Sequence, residues 1–310
     1  MNIFRSFDEI NFQKDTILTV GTFDGIHLGH QFIINKLLKI SEDNHLRNLI
    51  LTIHPHPQIV LKKTGKSSVS LLTSIEERLE LFKKFRVQNV LIIPFTYEFS
   101  QITAREFVVD YLIEKVGMKR ILIGYDHLFG KDRNGNENLL KELSPIHNFE
   151  IERLERIGEA DHSISSSAIR KALLNSDLIT ANKFLGHHYG LRGEVIHGLK
   201  RGRTIGFPTA NLLPDDEHKL LPPVGVYFVY SIIHGRKYYG MANIGYKPTV
   251  TSNRILTIEA NFFDFNLDIY GETITLHFVK KIRDEKKFSG IDELKNQIKL
   301  DKNTCLELIS

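Results

Sequence analysis

Hydrophobic and polar positions follow two regimes along the chain. Up to about residue 185, short continuous apolar runs alternate with longer stretches of helical spacing. Residues 17–20, 49–53, 89–93 and 120–123 read as strands buried on both faces. Between them, Leu28, Phe32, Ile33, Leu37 and Ile40 read as the apolar face of a helix. Thr73 and Glu76 have the spacing of a capping box, opening a helix whose apolar face is Leu79, Phe82 and Phe85. Residues 103–116 predict a further helix. This alternation predicts a Rossmann-like α/β domain built on a parallel sheet. Beyond Leu185 and Gly186 the pattern changes to short strands, at 189–195, 225–233, 236–244, 256–263 and 273–279. Separators such as His234 and Gly235 predict hairpins, and the set predicts a small antiparallel β-barrel. Ile291, Leu294 and Ile298 place an amphipathic helix after it. Two domains are expected, 1–185 and 186–310, with no low-complexity linker.

The polar punctuation gathers after the predicted strands. The first strand leads into Gly21, Thr22, Phe23, Asp24, Gly25, Ile26, His27, Leu28, Gly29 and His30. A glycine-rich turn opening a helix is where an open α/β sheet binds anions, because backbone N–H groups and the positive helix end share one spot. His27 and His30, three apart, face one way on a first helical turn, which points to chemistry on a nucleotide. A plain βα turn with two surface histidines is the competing reading. His54, Pro55, His56 and Pro57 follow the second strand, and Gly124 to Gly130 the fourth. Ser165, Ser166 and Ser167 open another helix, with Arg170 one turn on. Hydroxyls, free helix N–H groups and a guanidinium are natural phosphate ligands, although a serine cap alone is more often structural. Asp177 reads equally as a ligand or as the N-cap of a helix ending near Leu185. A rival reading gathers His27, His30, His54, His56, Asp24 and Asp126 into the metal centre of a hydrolase, but it leaves the serine–arginine motif unused.

In the second domain the informative stretch runs from Gly198 to Asn211. Gly198, Gly202 and Gly206 permit close backbone approach, and Lys200, Arg201 and Arg203 add positive charge. Thr209 and Asn211 share one side of an extended segment, and their hard oxygens suit Mg²⁺ that also holds nucleotide phosphates. A basic surface loop, or a nonspecific nucleic-acid patch, is the competing reading.

Composition narrows the classes. The chain is 42% hydrophobic and 25% charged, and no apolar run approaches the roughly 20 residues that span a bilayer. Its N-terminus lacks the order of a signal peptide. Cys305 is the only cysteine, so intrachain disulfides and cysteine-based zinc sites are excluded and a reducing cytoplasm is expected. The formal charge of +4 decides little between anionic small substrates and weak nucleic-acid contact.

Taken together, the motifs resemble the bacterial bifunctional riboflavin kinase/FMN adenylyltransferases. His27-Leu-Gly-His30 matches the His-x-Gly-His motif of the nucleotidyltransferase superfamily, and Ile164 to Arg170 its Ile-Ser-Ser-Thr-x-x-Arg motif, with Ser167 in the threonine position. Gly124 to Gly130 matches the family's Gly-x-(Asp/Asn)-Phe-x-Phe-Gly, with His127 replacing the first aromatic. The run from Gly202 through Pro208 to Asn211 is nearly word for word the riboflavin kinase signature. Leu221 to Tyr227, Asn243 to Thr249 and Ile258 to Phe265 follow in order. The resemblance implies that FMN attacks the α-phosphorus of ATP and expels pyrophosphate. His27 and His30 would stabilise the transition state, and Ser165, Ser166, Ser167 and Arg170 would hold phosphates. Gly21, Phe23, Asp24, Gly25, Gly29, Asp126, Phe129 and Asp177 would lie at that site. In the second domain it implies that Glu259 is the general base for the riboflavin 5′-hydroxyl. Gly198, Arg203, Gly206 and Pro208 would surround the nucleotide, and Thr209 and Asn211 the Mg²⁺. ATP, riboflavin and FMN are the expected partners, with neither membrane nor nucleic acid. Two alternatives remain: a chain with only its kinase active, and a non-catalytic flavin- or nucleic-acid-binding regulator.

Overall fold

The computed structural model describes residues 1–61, 69–124, 128–154, 164–198, 206–248 and 254–309. The chain divides into two compact units, one of residues 1–69 and 75–164, the other of 70–74 and 165–310. In the first unit, six parallel strands stand in the order β1 (Asn2–Phe4), β4 (Asn89–Pro94), β3 (Arg47–His54), β2 (Thr16–Gly21), β5 (Met118–Ile123) and β6 (Glu150–Arg153). Its helices are α1 (Leu28–Asp43), the short α2 (Pro57–Val60), α3 (Ile75–Lys84), the short α4 (Tyr97–Ser100), α5 (Ala104–Glu106) and α6 (Glu137–His147). Thr103 and Glu106 form the capping box of α5, which runs on into a wider π-helical stretch, Phe107–Val116. Two apolar clusters form its core. One is built around Leu18, Leu49, Phe107 and Leu140, the other around Ile17, Ile34, Ile50 and Phe82.

Helix α1 does not bury the face expected of it. Ile34, Leu37 and Ile40 are buried, whereas Leu28 and Phe32 are exposed at 36% and 44%. At about 100° per residue, Leu28 lies on the far side of the helix from Leu37, so the two cannot share a face. Helix α3 begins at Ile75, which makes Ser74, not Thr73, the residue before it, and Phe85 lies past its end. The edge strands β1 and β6 are additions to the expected sheet.

In the second unit, six strands close a barrel in the order β10 (Arg236–Pro248), β11 (Arg254–Phe262), β8 (Ala210–Pro214), β7 (Tyr189–Ile196), β12 (Thr273–Arg283) and β9 (Gly225–Ile233). All their pairings are antiparallel. Strand β8 escaped the sequence pattern. His234 (φ 49°) and Gly235 (φ 79°) make the tight β9–β10 turn, both in the left-handed region. Helices α7 (Ser166–Leu174) and α8 (Leu178–Leu185) share one core with the barrel through Ile169, Leu173, Leu178 and Leu185. The last helix, α9 (Ile291–Glu307), docks through Ile298, Asp301 and Cys305, while Ile291 is 58% exposed, contrary to the expected anchor. Its buried Asp301 accepts two hydrogen bonds from Arg283 Nε at 3.0 Å and one from Nη2 at 2.8 Å.

Inside the barrel, Ser231 is fully buried between Val229 and Ile233 on the inward face of β9, and its hydroxyl has no hydrogen-bond partner. An unsatisfied buried hydroxyl costs about 1–3 kcal/mol. Ser231→Ala is therefore expected to raise the urea midpoint of unfolding; a lowered midpoint would contradict this.

Candidate functional site

In the first unit the chain winds outward from β2 in both directions: β2, β3 and β4 lie side by side, and β5 returns to the other flank of β2. That reversal is a topological switch point, and ligand crevices open outside the carboxyl ends of strands there. The loops that follow β2, β3 and β5 leave neighbouring strands at that end. Of the last loop, Gly124 and residues 128–130 are described; Asp126 and His127 lie outside the described residues.

The turn after β2 is tight. Phe23 (φ 49°), Gly25 (φ 86°) and Ile26 (φ 37°) all lie in the left-handed region, which is unusual for a β-branched residue and concentrates strain at this point. The ring of Phe23 is buried and lies edge-on to Phe82, so the turn is pinned to the core. Gly21 lies against that ring, where a Cβ would stand 3.2 Å from it. Asp24 is also buried.

His27 is the N-cap of α1, and its Nδ1 accepts the backbone N–H of His30 at 3.4 Å. Accepting at Nδ1 places the proton of the neutral ring on Nε2. The two imidazoles stack with centroids 3.7 Å apart and planes 17° off parallel. Gly29 makes room for this, since a Cβ there would stand 3.1 Å from the His27 ring. Burial, then the neighbouring His27, then Arg78 push the His30 pKa well below 6.5, so this half-buried ring is neutral at neutral pH with one N–H to donate. Its Nδ1 is shielded and has no hydrogen-bond partner among the described residues.

After β3, the His54–Pro55 peptide is cis, and His56 caps α2 by accepting from Gln58 N at 3.2 Å. Among the described residues no group of three or more His, Cys, Asp or Glu side chains is placed to hold a metal ion. The hydrolase reading thus has no centre among them. Phe129 takes a structural part: its ring joins the apolar cluster beside Phe107, and a Cβ on Gly135 would collide with it.

The serine–arginine motif belongs to the second unit. Ser165 caps α7, its Oγ accepting from Ala168 N at 3.2 Å, with Ser166 and Ser167 in the first turn. Arg170 donates from Nε to the Ser70 carbonyl at 2.7 Å, which orients its guanidinium. Asp177 is the N-cap of α8, accepting from Thr180 N at 3.0 Å, and hydrogen bonds from Thr180 lower its pKa. Its geometry favours the capping reading.

On the barrel, strand register brings a second set of polar side chains together. Glu259 of β11 stands directly opposite Asn211 of β8 on one side and Asn243 of β10 on the other. Ile258 and Ala260 point into the core, so the Glu259 row is on the outer face. A Cβ on Gly198 would overlap the Asn211 amide, so glycine there lets that side chain lie against the backbone. Asn261, two residues after Glu259 on the same face, donates from Nδ2 to the Pro208 carbonyl at 2.7 Å and so fixes the segment that carries Thr209. Gly206 (φ 85°) turns the chain into that segment. Arg203 lies outside the described residues. Asn243 and Asn261 lie within motifs that give them no role by themselves; their register is what marks them. The Asn211 amide and the Glu259 carboxylate are paired across the strands, and hard oxygens of this kind suit a divalent cation shared with phosphates.

Among the described residues no helix is long and apolar enough to cross a membrane. Residues 9–168 match the family model of FAD synthetase, and residues 185–309 that of riboflavin kinase. The bifunctional riboflavin kinase/FMN adenylyltransferase of Bacillus subtilis is 38% identical over 96% of this chain and 94% of its own. That of Escherichia coli K12 is 36% identical over 95% and 93%. A crystal structure described as a macrolide-efflux protein from Streptococcus pneumoniae superposes with a TM-score of 0.85 at 33% identity, covering 98% of this chain and 97% of the other. Two matched halves and relatives spanning both of them lead to one assignment: the chain belongs to the bifunctional riboflavin kinase/FMN adenylyltransferase family.

Proposed function

We infer that this enzyme makes FAD from riboflavin in two ATP-dependent steps, the barrel phosphorylating riboflavin and the α/β unit using the FMN. The observation that carries the reading is that one chain holds both matched halves. In the kinase step, the Glu259 carboxylate accepts the proton of the riboflavin 5′-hydroxyl as that oxygen attacks the γ-phosphorus of ATP, whose bond to the bridging oxygen breaks so that ADP leaves. Thr209 and Asn211 would hold Mg²⁺, which when bound neutralises charge on the ATP phosphates. Asn261 keeps the Thr209 segment in place through Pro208.

In the adenylyl step an FMN phosphate oxygen attacks the α-phosphorus of a second ATP and pyrophosphate leaves, with no covalent enzyme intermediate. Transfers of this kind are accelerated by positioning and by stabilising charge. His27 and the neutral His30 donate N–H groups to the α-phosphate, and the α1 N-terminus adds its positive end. The first-turn N–H groups of α7, the Ser165–Ser167 hydroxyls and Arg170 are suited to the departing phosphates.

Incubation of the protein with riboflavin, ATP and Mg²⁺, with flavins separated by chromatography, tests both steps. FMN is expected first and FAD after it. FMN that accumulates without FAD would leave a riboflavin kinase alone; riboflavin bound but unchanged would favour a regulator.

A further inference from the structure

Arg78 has no part in the chemistry described above, yet it is the largest fully buried side chain among the described residues, at 0% exposure. It lies in the first turn of α3 among Leu79 and Phe82, which face the core. Removing a guanidinium from water, even beside the buried Glu77, is costly unless its hydrogen bonds do something for the fold or the site. Their destinations are specific. Nη1 donates to the Thr22 carbonyl at 2.7 Å, to the Thr52 hydroxyl at 2.9 Å and to the Ile53 carbonyl at 3.1 Å. Thr22 opens the turn that ends in His27, and Thr52 and Ile53 form the end of β3 that precedes His54. Thr52 Oγ1 in turn lies 3.3 Å from the Thr22 carbonyl. One nitrogen therefore ties the exits of two adjacent strands together at the switch point.

The tie has a directional consequence. In a trans peptide the C=O and N–H point opposite ways, so holding the Thr22 carbonyl toward Arg78 aims the Phe23 N–H away from it. It also fixes the peptide just before the strained Phe23–Ile26 turn, whose geometry sets where His27 begins α1. We propose that Arg78 is a positioning residue for adenylyl transfer, locking the carboxyl ends of β2 and β3 so that the His27–His30 pair is held in a fixed place. This rests on the adenylyltransferase reading of the α/β unit. The Arg78 charge is also one of the three influences that keep His30 neutral, behind burial and His27, so the same side chain helps set the donor state of that ring.

The three bonds named leave one nitrogen, which has only two hydrogens. A lysine ammonium has three, so Arg78→Lys can serve the same acceptors, whereas the similarly sized apolar Arg78→Met cannot. With FMN and ATP as substrates, Arg78→Met is expected to lower kcat for FAD formation at least tenfold, with a smaller change in the KM for FMN. Arg78→Lys is expected to recover to within about threefold of the wild type. The kinase step, measured on the same samples, should stay unchanged and reports that the chain has folded. Should Arg78→Met fail to fold, Thr52→Val, which deletes a single acceptor, is expected to lower kcat a few-fold at unchanged melting temperature. Wild-type FAD formation in a folded Arg78→Met, or in Thr52→Val where Arg78→Met does not fold, would overturn the proposal. So would an Arg78→Lys that folds but is as slow as Arg78→Met. A wild-type protein that forms no FAD from FMN would instead overturn the adenylyltransferase reading itself.

Discussion

Glu259→Gln is expected to lower FMN formation from riboflavin by about 10²- to 10⁴-fold, the range that a positioned general base supplies, and to leave FAD formation from added FMN intact. Glutamine keeps the shape and the place opposite Asn211 and Asn243 but cannot accept a proton from the attacking hydroxyl. The assay starts parallel reactions from riboflavin and from FMN. Equal loss of both products would mean that the substitution had disturbed the whole chain. Undiminished FMN formation would remove Glu259 from the chemistry.

His30→Ala should do the reverse, costing FAD formation about 100-fold or more if the ring donates to transition-state charge, while FMN formation continues. The histidine also carries a stability signature. Burial, His27 and Arg78 hold its folded pKa well below 6.5, whereas in the unfolded chain it titrates near the ordinary value. As pH falls through about 6.5, the unfolded chain takes up a proton that the folded chain refuses, so stability drops. Denaturant midpoints at pH 7.5 and 5.5 should therefore differ less in His30→Ala than in the wild type. An unchanged difference would show that His30 is not the group responsible.

Both predictions concern residues that the motifs pointed out, and the structure shows why some neighbours stayed hidden. Continuous apolar runs gave β2 to β5 and the hairpins of the barrel, because strands buried on both faces or alternating about a core leave a plain pattern. Strand β8, five residues carrying Asn211 and ending in Pro214, shows no such run; it exists because β7 and β11 pair with it. Helix α1 was recognised but rotated, since Phe32 stands exposed where Ile34 is buried. Arg78 was invisible for a related reason. A charged residue beside Leu79 on an amphipathic helix reads as solvated, and only the carbonyls of Thr22 and Ile53, distant in sequence, reveal that it points inward. The partnership of Glu259 with Asn211 and Asn243 is likewise a property of strand register, which no single strand contains.

The five residues 70–74 carry a consequence for synthesis. They belong to the second unit although residues of the first precede and follow them. Leu71 bridges Lys219, and Lys219 Nζ, buried at 5% exposure, donates to the Leu72 carbonyl at 2.6 Å across 147 positions of chain. Chains are made from the N-terminus, so this segment leaves the ribosome long before its partners exist. The first unit can close over its own strands while the segment waits for Lys219 and Leu220. A C-terminal fragment starting at Ser165 would likewise lack a piece of its own core, with the Lys219 ammonium deprived of its carbonyl. The kinase half is thus contiguous in space but not along the chain, and a dissection that respects its physics must carry residues 70–74 with it.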